Sequence, residues 1–360
     1  MFIVKILFIY IIFKKCCNKC TKKIKGGTKK LTKLLKESQK KAAASLQTPS
    51  QRAAERRAGR KRTWMLMKRN YFLYLFILPS FLYILIFSYW PMYGVQIAFK
   101  DFLPYAGMMK SPWVGFKHFK KFFESIMFWK LLGNTVSLSL YALIASFPLP
   151  IILAFMINYT KNARLKKFTQ TVTYAPHFIS TVVLVGMLSI FLSPRSGFIN
   201  TIIQAFGGKS VFFLGEEGWF RHVYVWSGVW QGTGWASIIY IAALAGVSPE
   251  LHEAAIIDGA SKLQRMRYID LPSIMPTVTI LLILNMGQIM NVGFEKVLLM
   301  QNDLNIGIAE VISTYTYKVG LVNAEYSYST AIGLFNNIIN FAILLVVNRG
   351  ARKLSGTSLW

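Results

Sequence analysis

Long apolar runs, separated by short polar and basic stretches, set the pattern of this 360-residue chain. A helix needs roughly 20 mostly apolar residues to cross a bilayer, and six runs beyond residue 63 approach that length. Their apolar positions come in blocks and not at the spacing of an amphipathic helix. We therefore predict six transmembrane helices. They cover residues 71–90, 134–157, 171–192, 225–246, 272–292 and 328–348.

Composition agrees with this fold class. Hydrophobic residues make up 54% of the chain and charged residues 16%, whereas a soluble protein normally carries about 25% charged residues. We predict an all-α, polytopic membrane protein whose six-helix transmembrane domain occupies residues 64–360. Pro148 and Pro150 should bend the second helix, because proline interrupts helical hydrogen bonding.

Residues 1–63 are predicted to be a basic and largely disordered tail. The first 13 residues include 12 apolar ones, too few to span comfortably, and no Ala-x-Ala-like cleavage site comes after them. One interpretation places the true start downstream of this tail, at Met65 or Met67. The tail holds all three cysteines, Cys16, Cys17 and Cys20. They fall short of a usual four-ligand zinc site, and we expect reduced thiols without a role.

The net charge of +28 is concentrated near the N-terminus. Residues 1–69 hold 21 Lys and Arg against two acids, which gives +19, so the remaining residues carry +9. Such a tail is typical of a cytoplasmic flank or of a segment lying on anionic lipid. The alternative is a membrane-tethered protein that binds nucleic acid through this tail, but no aromatic or motif interleaving favours it. We expect a lipid bilayer, and no nucleic acid, among the partners.

Basic loops give the orientation. Four basic residues lie between the second and third predicted helices, three lie between the fourth and fifth, and three come after the last. The positive-inside rule then places both termini in the cytoplasm, although residues 97–133, predicted outside, contain six lysines. The apolar positions of that loop lie near helical spacing and predict an amphipathic helix at the outer interface. They are Phe119, Phe122, Phe123, Ile126 and Met127.

Residues 248–272 form a charged, glycine-broken stretch between the fourth and fifth predicted helices. Ser248 is a good N-cap and is followed by proline, so a helix should begin there. Gly259 permits the positive φ that ends a helix. Ser261 should cap a second short helix, and Asp270 should cap the fifth span. The stretch thus predicts a helix, a sharp turn and a second short helix on the cytoplasmic face. By spacing, an ordinary amphipathic loop explains this pattern about as well.

The order of the residues is more specific than their spacing. The sequence EAAIIDGA at residues 253–260, with nine residues between its glycine and IDLP at residues 269–272, resembles the EAA loop of ATP-binding-cassette importer permeases. The DGA extension and Pro276 are similar to the carbohydrate branch, whereas Met266 departs from its usual Phe. The resemblance covers roughly residues 65–360, and it is closest to permeases for oligomeric saccharides such as alginate or pectin fragments.

The resemblance implies the fold of a type I importer permease in a bacterial cytoplasmic membrane, and a subunit that is not itself an enzyme. A second, paralogous permease, two cytoplasmic ATPases and an extracellular or periplasmic solute-binding protein would complete the transporter. ATP and Mg²⁺ would be held by the ATPases, while this chain would bind no cofactor or metal. Coupling to the ATPase would rest on the EAA loop. The residues concerned are Glu253, Ala254, Ala255, Asp258, Gly259, Ala260, Leu271 and Pro272.

Nucleotide binding by this chain is not expected. GGKS at residues 207–210 lacks the first glycine of a phosphate-binding loop, because Ile203 occupies its place. The four scattered histidines form no convincing metal cluster or nucleophile–base pair either.

Polar and aromatic side chains inside the predicted helices suit a saccharide path, since polar groups at membrane depth tend to face a cavity or another helix. They are Trp230, Gln231, Trp235, Tyr240, Asn285, Gln288, Asn291, Asn336, Asn337 and Asn340. Hydrogen bonding between helices, with interfacial tryptophans, is the alternative explanation. The predicted helices contain no Asp, Glu, Lys or Arg, which disfavours a stand-alone secondary transporter. A permease for an amino acid, phosphate or metal is the remaining alternative.

Overall fold

A computed structural model describes residues 64–360 of the chain. The predictions on the tail, including disorder and the three cysteines, lie outside these residues. Within the described part every regular element is a helix, apart from an isolated bridge between Lys100 and Trp113. The predicted all-α class is therefore confirmed.

The α-helices from Tyr71 onward are numbered in chain order. They are α1 Tyr71–Ile84, α2 Gly107–Lys110, α3 Lys117–Phe123, α4 Met127–Ser146, α5 Pro148–Tyr159, α6 Ala163–Tyr174, α7 Thr181–Phe191, α8 Phe198–Ala205, α9 Glu217–Ala245, α10 Pro249–Ile257, α11 Lys262–Arg265, α12 Leu271–Met286, α13 Phe294–Met300, α14 Ile306–Ala309, α15 Ile312–Tyr317 and α16 Tyr326–Ser355. Short π turns and 3-10 turns extend several of them. The π turns are Leu85–Tyr89, Met266–Asp270 and Lys318–Val322, and the 3-10 turns are Trp90–Phe99 and Ala175–Phe178.

The first apolar helix belongs to a unit that ends at Tyr93, separate from the unit Gly94–Trp360. α1 and the two turns after it form one apolar segment of 29 residues, Tyr71–Phe99, with Pro79 inside. No residue of α1 is buried within the structure. This segment covers the first predicted span and continues nine residues beyond it.

Three other segments of the described chain are long and apolar enough to cross a membrane: Met127–Tyr159, Lys262–Met286 and Tyr326–Lys353. The second and fifth spans begin earlier than predicted. Pro272 does not start the fifth helix, because the chain passes this proline through the π turn Met266–Asp270 and stays helical. Asp270 therefore lies within a continuous helix and caps nothing, which corrects the prediction for this residue.

The third and fourth spans are bent pairs of helices. The third span, predicted as one helix over residues 171–192, consists of two helices, because Ala163–Phe178 and Thr181–Phe191 meet at 98°. Ser180 is extended at the break, and its side chain accepts a hydrogen bond from the N–H of Val183, so it starts α7 as a separate helix. The fourth span, α9, begins eight residues before the predicted position and is followed by α10 at 71°.

The predicted amphipathic helix is present as α3, but it is shorter than predicted. α3 ends at Phe123, and Ile126 beyond it is 95% exposed. Phe119 and Phe122 are buried against residues of α16, with the Phe122 ring centroid 5.6 Å from that of Phe335. The apolar face of this helix thus packs on the protein itself.

α9 lies at the centre of the unit Gly94–Trp360. It contributes to two buried clusters, one with Leu138 of α4 and one with Ile274 and Val278 of α12. Close approach to α6 depends on Gly234, since a Cβ at this position would collide with the carbonyl oxygen of Thr173. The candidate functional site is built on this central helix.

Candidate functional site

α10 lies between the fourth and fifth spans, and the backbone has a defined conformation at each end of this helix. Ser248 is extended at its start, as predicted, but the Ser248 side chain makes no capping hydrogen bond. Gly259 ends the helix with φ +75°, which confirms the predicted positive φ. The N–H of Ala260 donates to the carbonyl of Ala255 at 2.8 Å, and the N–H of Gly259 donates to the carbonyl of Ile256. These two bonds form the turn typical of a helix that stops at glycine.

The second short helix is capped as predicted. The Ser261 side chain accepts a hydrogen bond from the N–H of Gln264, and the Gln264 side chain accepts one from the N–H of Ser261 at 2.7 Å. Such a reciprocal capping box satisfies two backbone donors at once. Because α11 then runs without interruption into α12, the turn at Gly259 is joined directly to the fifth span.

A buried carboxylate ties α10 to two spans. Asp270 has 0% exposure, and its Oδ2 accepts a hydrogen bond from the hydroxyl of Tyr159, at the end of α5, over 2.5 Å. On the other side, Nε2 of His252 in α10 lies 3.0 Å from Asp270 Oδ1. Tyr159 and His252 were not predicted from the sequence, since no spacing signal links residues so far apart in the chain.

The predicted coupling residues fall into two groups. Glu253, Ala254, Asp258 and Gly259 are exposed, while Ala255 and Ala260 are partly buried. Leu271 and Pro272 are partly buried, and Leu271 packs beside the cluster of α9 and α12. Four apolar side chains are also exposed on this loop, with Ile257 at 85%. They are Leu251, Ile256, Ile257 and Leu263. The loop thus presents an exposed surface of acids and apolar groups on a rigid turn, the helix–turn surface.

A cleft of about 210 Å³ lies between α4–α5, α9 and α12, and is here called the inner cleft. Two of the predicted path residues line it, Tyr240 and Asn285. Tyr240 is nearly buried, and Asn285 donates to the carbonyl of Leu281. The other lining residues are Ser146, Phe147, Pro150, Gly228, Val229, Gly232, Thr233, Ala236, Ile239 and Leu281.

Three predicted path residues of α9 lie elsewhere. Trp235 stacks on His177 with ring centroids 4.5 Å apart, and Gln231 donates to the carbonyl of Ile179 at 2.7 Å. Both contacts support the break between the two halves of the third span. Trp230 is half exposed and does not line the inner cleft.

The asparagines of the last two spans form a hydrogen-bond cluster. Asn336 and Asn340 of α16 both donate to Oδ1 of Asn291, at 2.9 and 3.1 Å. Oδ1 of Asn340 also accepts from the N–H of Met290, which is therefore withdrawn from helical pairing. α12 ends at Met286, so Gln288 and Asn291 lie beyond the helix that holds Asn285, although all three were predicted within the fifth span. Asn337 is exposed and takes no part in these bonds.

Two cations outside the predicted helices are held by hydrogen bonds to neighbouring elements. α9 includes Arg221, whose Nη2 donates to Oδ1 of Asn134 at 3.2 Å and whose Nε is buried without a partner among the described residues. Lys296 of α13 is buried, and its Nζ donates to the carbonyl of Tyr224 at 2.8 Å. Burial lowers the pKa of the Lys296 ammonium to about 8. Arg221 was overlooked because the fourth predicted helix began too late, and Lys296 because it lies in α13, beyond the fifth predicted helix.

The described residues contain no group of three or more His, Cys, Asp or Glu side chains that could hold a metal ion. Two features of this geometry are candidates for a functional site. One is the helix–turn surface between the fourth and fifth spans, and the other is the set of polar clefts along α9.

Known proteins share this architecture and much of this sequence. Residues 146–355 match the family described as binding-protein-dependent transport system inner membrane component. Protein LplB of Bacillus subtilis (strain 168) is 43% identical over 304 residues, which are 84% of this chain and 96% of that protein. The polygalacturonan/rhamnogalacturonan transport system permease protein YteP of the same organism is 42% identical over 294 residues, 82% of this chain and 92% of that protein.

This chain is also similar to one chain of a solved structure. It is that of a bacterial alginate ABC transporter in complex with alginate pentasaccharide-bound periplasmic protein. One of its chains superimposes with a TM-score of 0.76 at 39% sequence identity, covering 83% of this chain and 100% of that chain.

Proposed function

The chain belongs to the inner membrane components of binding-protein-dependent transport systems, and we propose that it forms half of the membrane pathway of an ATP-driven oligosaccharide importer. A paralogous permease would form the other half. A solute-binding protein outside the membrane would deliver the saccharide, and two cytoplasmic ATPases would bind ATP and Mg²⁺. This chain supplies the route and carries out no chemical step.

The saccharide assignment is supported by the relatives and by the inner cleft. YteP is named for polygalacturonan and rhamnogalacturonan transport, and the solved transporter is named for alginate. The inner cleft combines a tyrosine with an asparagine among small and larger apolar residues. Aromatic rings pack on the apolar faces of sugars and amides bind their hydroxyls, so such a lining suits an uncharged part of a saccharide. We propose Tyr240 and Asn285 as contact residues of the inner cleft. The half-exposed Trp230 of α9, which does not line this cleft, stays a candidate contact for the solute elsewhere on the path.

The remaining polar residues receive a different proposed role. Gln231 and Trp235 hold the bend of the third span, while Gln288, Asn291, Asn336 and Asn340 join the last two spans. Amide hydrogen bonds between helices position a pathway without touching the solute. Asn337 is exposed and stays a candidate contact for the solute or for the second permease.

Coupling is proposed to run through the helix–turn surface, and this surface carries the functional assignment. Its exposed apolar side chains need a partner, because large apolar groups on a soluble face mark interaction sites. Its rigid turn joins the fourth span to the fifth, so a push on α10 reaches both. The acids Glu253 and Asp258 would meet cationic groups of the ATPase. This role requires residues 248–272 and both termini to lie in the cytoplasm.

Co-purification tests the coupling proposal. Ile257→Arg places a charge at the centre of the exposed apolar group without disturbing any buried contact. We expect the wild-type chain to retain both the second permease and the ATPase from native membranes. The variant should keep the permease and lose roughly 90% of the ATPase or more, an order-of-magnitude effect expected for a charge buried in an interface.

Leu165→Arg is the matched control, because Leu165 is an exposed leucine in the basic first turn of α6, on the same predicted side of the membrane. This variant should retain the ATPase. If Ile257→Arg also retained it, or if the control lost it to the same extent, docking at the helix–turn surface would be excluded.

A further inference from the structure

α8 lies beside the end of α9 that is remote from the helix–turn surface. The chain leaves α7 at Phe191, forms α8 and enters α9 at Glu217, while the helix–turn surface follows the other end of α9 at Ala245. With 29 residues α9 is about 43 Å long, which exceeds the hydrocarbon layer of about 30 Å. Its first turn, with the exposed Trp219, therefore reaches the headgroup region, where tryptophan is enriched. α8 joins two spans at this level.

α8 carries an apolar face that no other part of the described chain covers. Successive helical residues are turned by 100°, so the apolar side chains concerned lie within about 100° of one another. They are Phe198, Ile199, Ile202 and Phe206, here called the α8 stripe, and all four are exposed. Phe206, directly after the helix, is 89% exposed. Large apolar groups gathered on one exposed face mark an interaction surface.

Asn200 keeps the α8 stripe on the surface. This residue lies on the opposite side of the helix and is 1% exposed. Its Nδ2 donates to the carbonyls of Leu192, Ser193 and Val211 at 3.3, 3.0 and 2.9 Å, and its Oδ1 accepts from the N–H of Val211 at 2.8 Å. Turning the α8 stripe inward would break these bonds, so the orientation of the helix about its axis is fixed.

Two exposed cations flank α8. Arg195 precedes the helix and Lys209 follows it. The hydroxyl of Ser210 donates to the carbonyl of Pro194 at 2.6 Å, which brings the chain neighbours of the two cations together. The ion pairs of the described residues include neither cation. Residues 192–215 contain these two cations and no acid, so the segment has a net charge of +2.

We propose that α8 lies in the outer leaflet of the membrane, where the α8 stripe enters the boundary between headgroups and acyl chains and Arg195 and Lys209 bind the phosphate of an anionic phospholipid. The inference rests on the proposed function, which places the helix–turn surface in the cytoplasm, and adds a lipid partner on the opposite side. An apolar face beside cations is typical of helices that bind anionic lipid at the interface. The headgroup region supplies apolar and anionic groups together, at the level that α8 occupies.

A nitroxide label at position 206 tests the depth of the α8 stripe. The three cysteines of the tail are changed to serine, Phe206→Cys is labelled, and the complete transporter is reconstituted in vesicles. Oxygen is enriched in the bilayer and a nickel chelate stays in water, so the ratio of collisions with the two reports the depth of the label. Gln204→Cys is the matched control, because Gln204 is exposed two residues earlier, on the other side of the helix. The ratio should be about tenfold higher at position 206 than at position 204.

Lipid composition tests the phosphate contact. The ratio at position 206 should be about threefold higher in an equal mixture of phosphatidylcholine and phosphatidylglycerol than in phosphatidylcholine alone. Arg195→Gln combined with Lys209→Gln should abolish this difference. Lys110→Gln combined with Lys130→Gln is the control, because it removes two exposed lysines from the same predicted side, outside residues 192–215, and should preserve the difference.

Free collision of the label at position 206 with the nickel chelate would place the α8 stripe in water and overturn the proposal. Protection from both oxygen and nickel would show that a protein subunit covers the stripe, which would overturn it as well. Equal ratios in the two lipids, or a difference that survives Arg195→Gln with Lys209→Gln, would overturn the phosphate contact. ATP-driven uptake of oligosaccharide by the same vesicles tests the proposed function separately, so failure of the importer is distinguished from failure of α8 to enter the lipid.

Discussion

Nε2 of His252 lies 3.0 Å from Oδ1 of the buried Asp270, and this contact connects α10 to the base of the fifth span. Asp270 also accepts a hydrogen bond from Tyr159, so three separate helices meet at one carboxylate. We therefore expect movement of the short helix α10, which we propose to receive the ATPase, to move the ends of the second and fifth spans with it.

Removing the Tyr159 hydroxyl should weaken this junction. Tyr159→Phe leaves a buried carboxylate oxygen without its donor, which is expected to cost about 1–3 kcal/mol. The denaturation midpoint of the purified chain in detergent, followed by intrinsic fluorescence, measures the loss. Tyr240→Phe is the control, because the Tyr240 hydroxyl has no hydrogen-bond partner within the described residues and should be removed at little cost. Equal denaturation midpoints for Tyr159→Phe and Tyr240→Phe would show that the hydrogen bond from Tyr159 to Asp270 does not stabilise the junction.

Gly259→Ala should impair docking of the ATPase without causing a steric clash. No atom lies within 4 Å of the added methyl, but φ at this position is +75°, which costs a side chain about 1 kcal/mol. The turn should shift and reduce recovery of the ATPase several-fold in co-purification. Gly246→Ala at the other end of the loop has a negative φ and an ordinary contact of 3.4 Å, and it should leave recovery unchanged. If recovery of the ATPase fell more in Gly246→Ala than in Gly259→Ala, the role of the Gly259 turn would be refuted.

Gly234→Ala should loosen the packing of α9 on α6. The methyl would collide with the backbone carbonyl of Thr173, which cannot rotate away, so we expect a loss of about 1–3 kcal/mol. Gly218→Ala, in the same helix but with open space around it, should be neutral or stabilising by up to about 1 kcal/mol. Thermal midpoints of the two variants give the comparison, and a stable Gly234→Ala would show that the two helices do not approach as described.

Local signals in the sequence predicted the helices and the turn at Gly259 because these depend on neighbouring residues. Apolar runs located the spans, and the Ser261 cap and the positive φ of Gly259 depend on residue types. The bend of 98° in the third span was missed, since the apolar run continues across the extended Ser180.

Contacts between distant residues were beyond the reach of the sequence. Tyr159 and Asp270 are 111 positions apart, and nothing in their surroundings indicates that they meet. The burial of Lys296 depends in the same way on where α13 packs against α9, 72 positions earlier. The end of the fifth helix at Met286 was misjudged for this reason, since the N–H of Met290 beyond it donates to Oδ1 of the distant Asn340.

The ratio of oligosaccharide taken up to ATP hydrolysed by the reconstituted transporter, in wild type and in Asp270→Asn, tests coupling through α10 most directly. Wild type should hydrolyse ATP in response to the loaded binding protein and import the oligosaccharide. Asp270→Asn keeps the exposed docking surface but replaces the carboxylate that His252 and Tyr159 contact. It should retain the ATPase and much of the hydrolysis while uptake per ATP falls about tenfold. Uptake that needs no ATP, or a wild-type ratio in Asp270→Asn, would contradict coupling by this route.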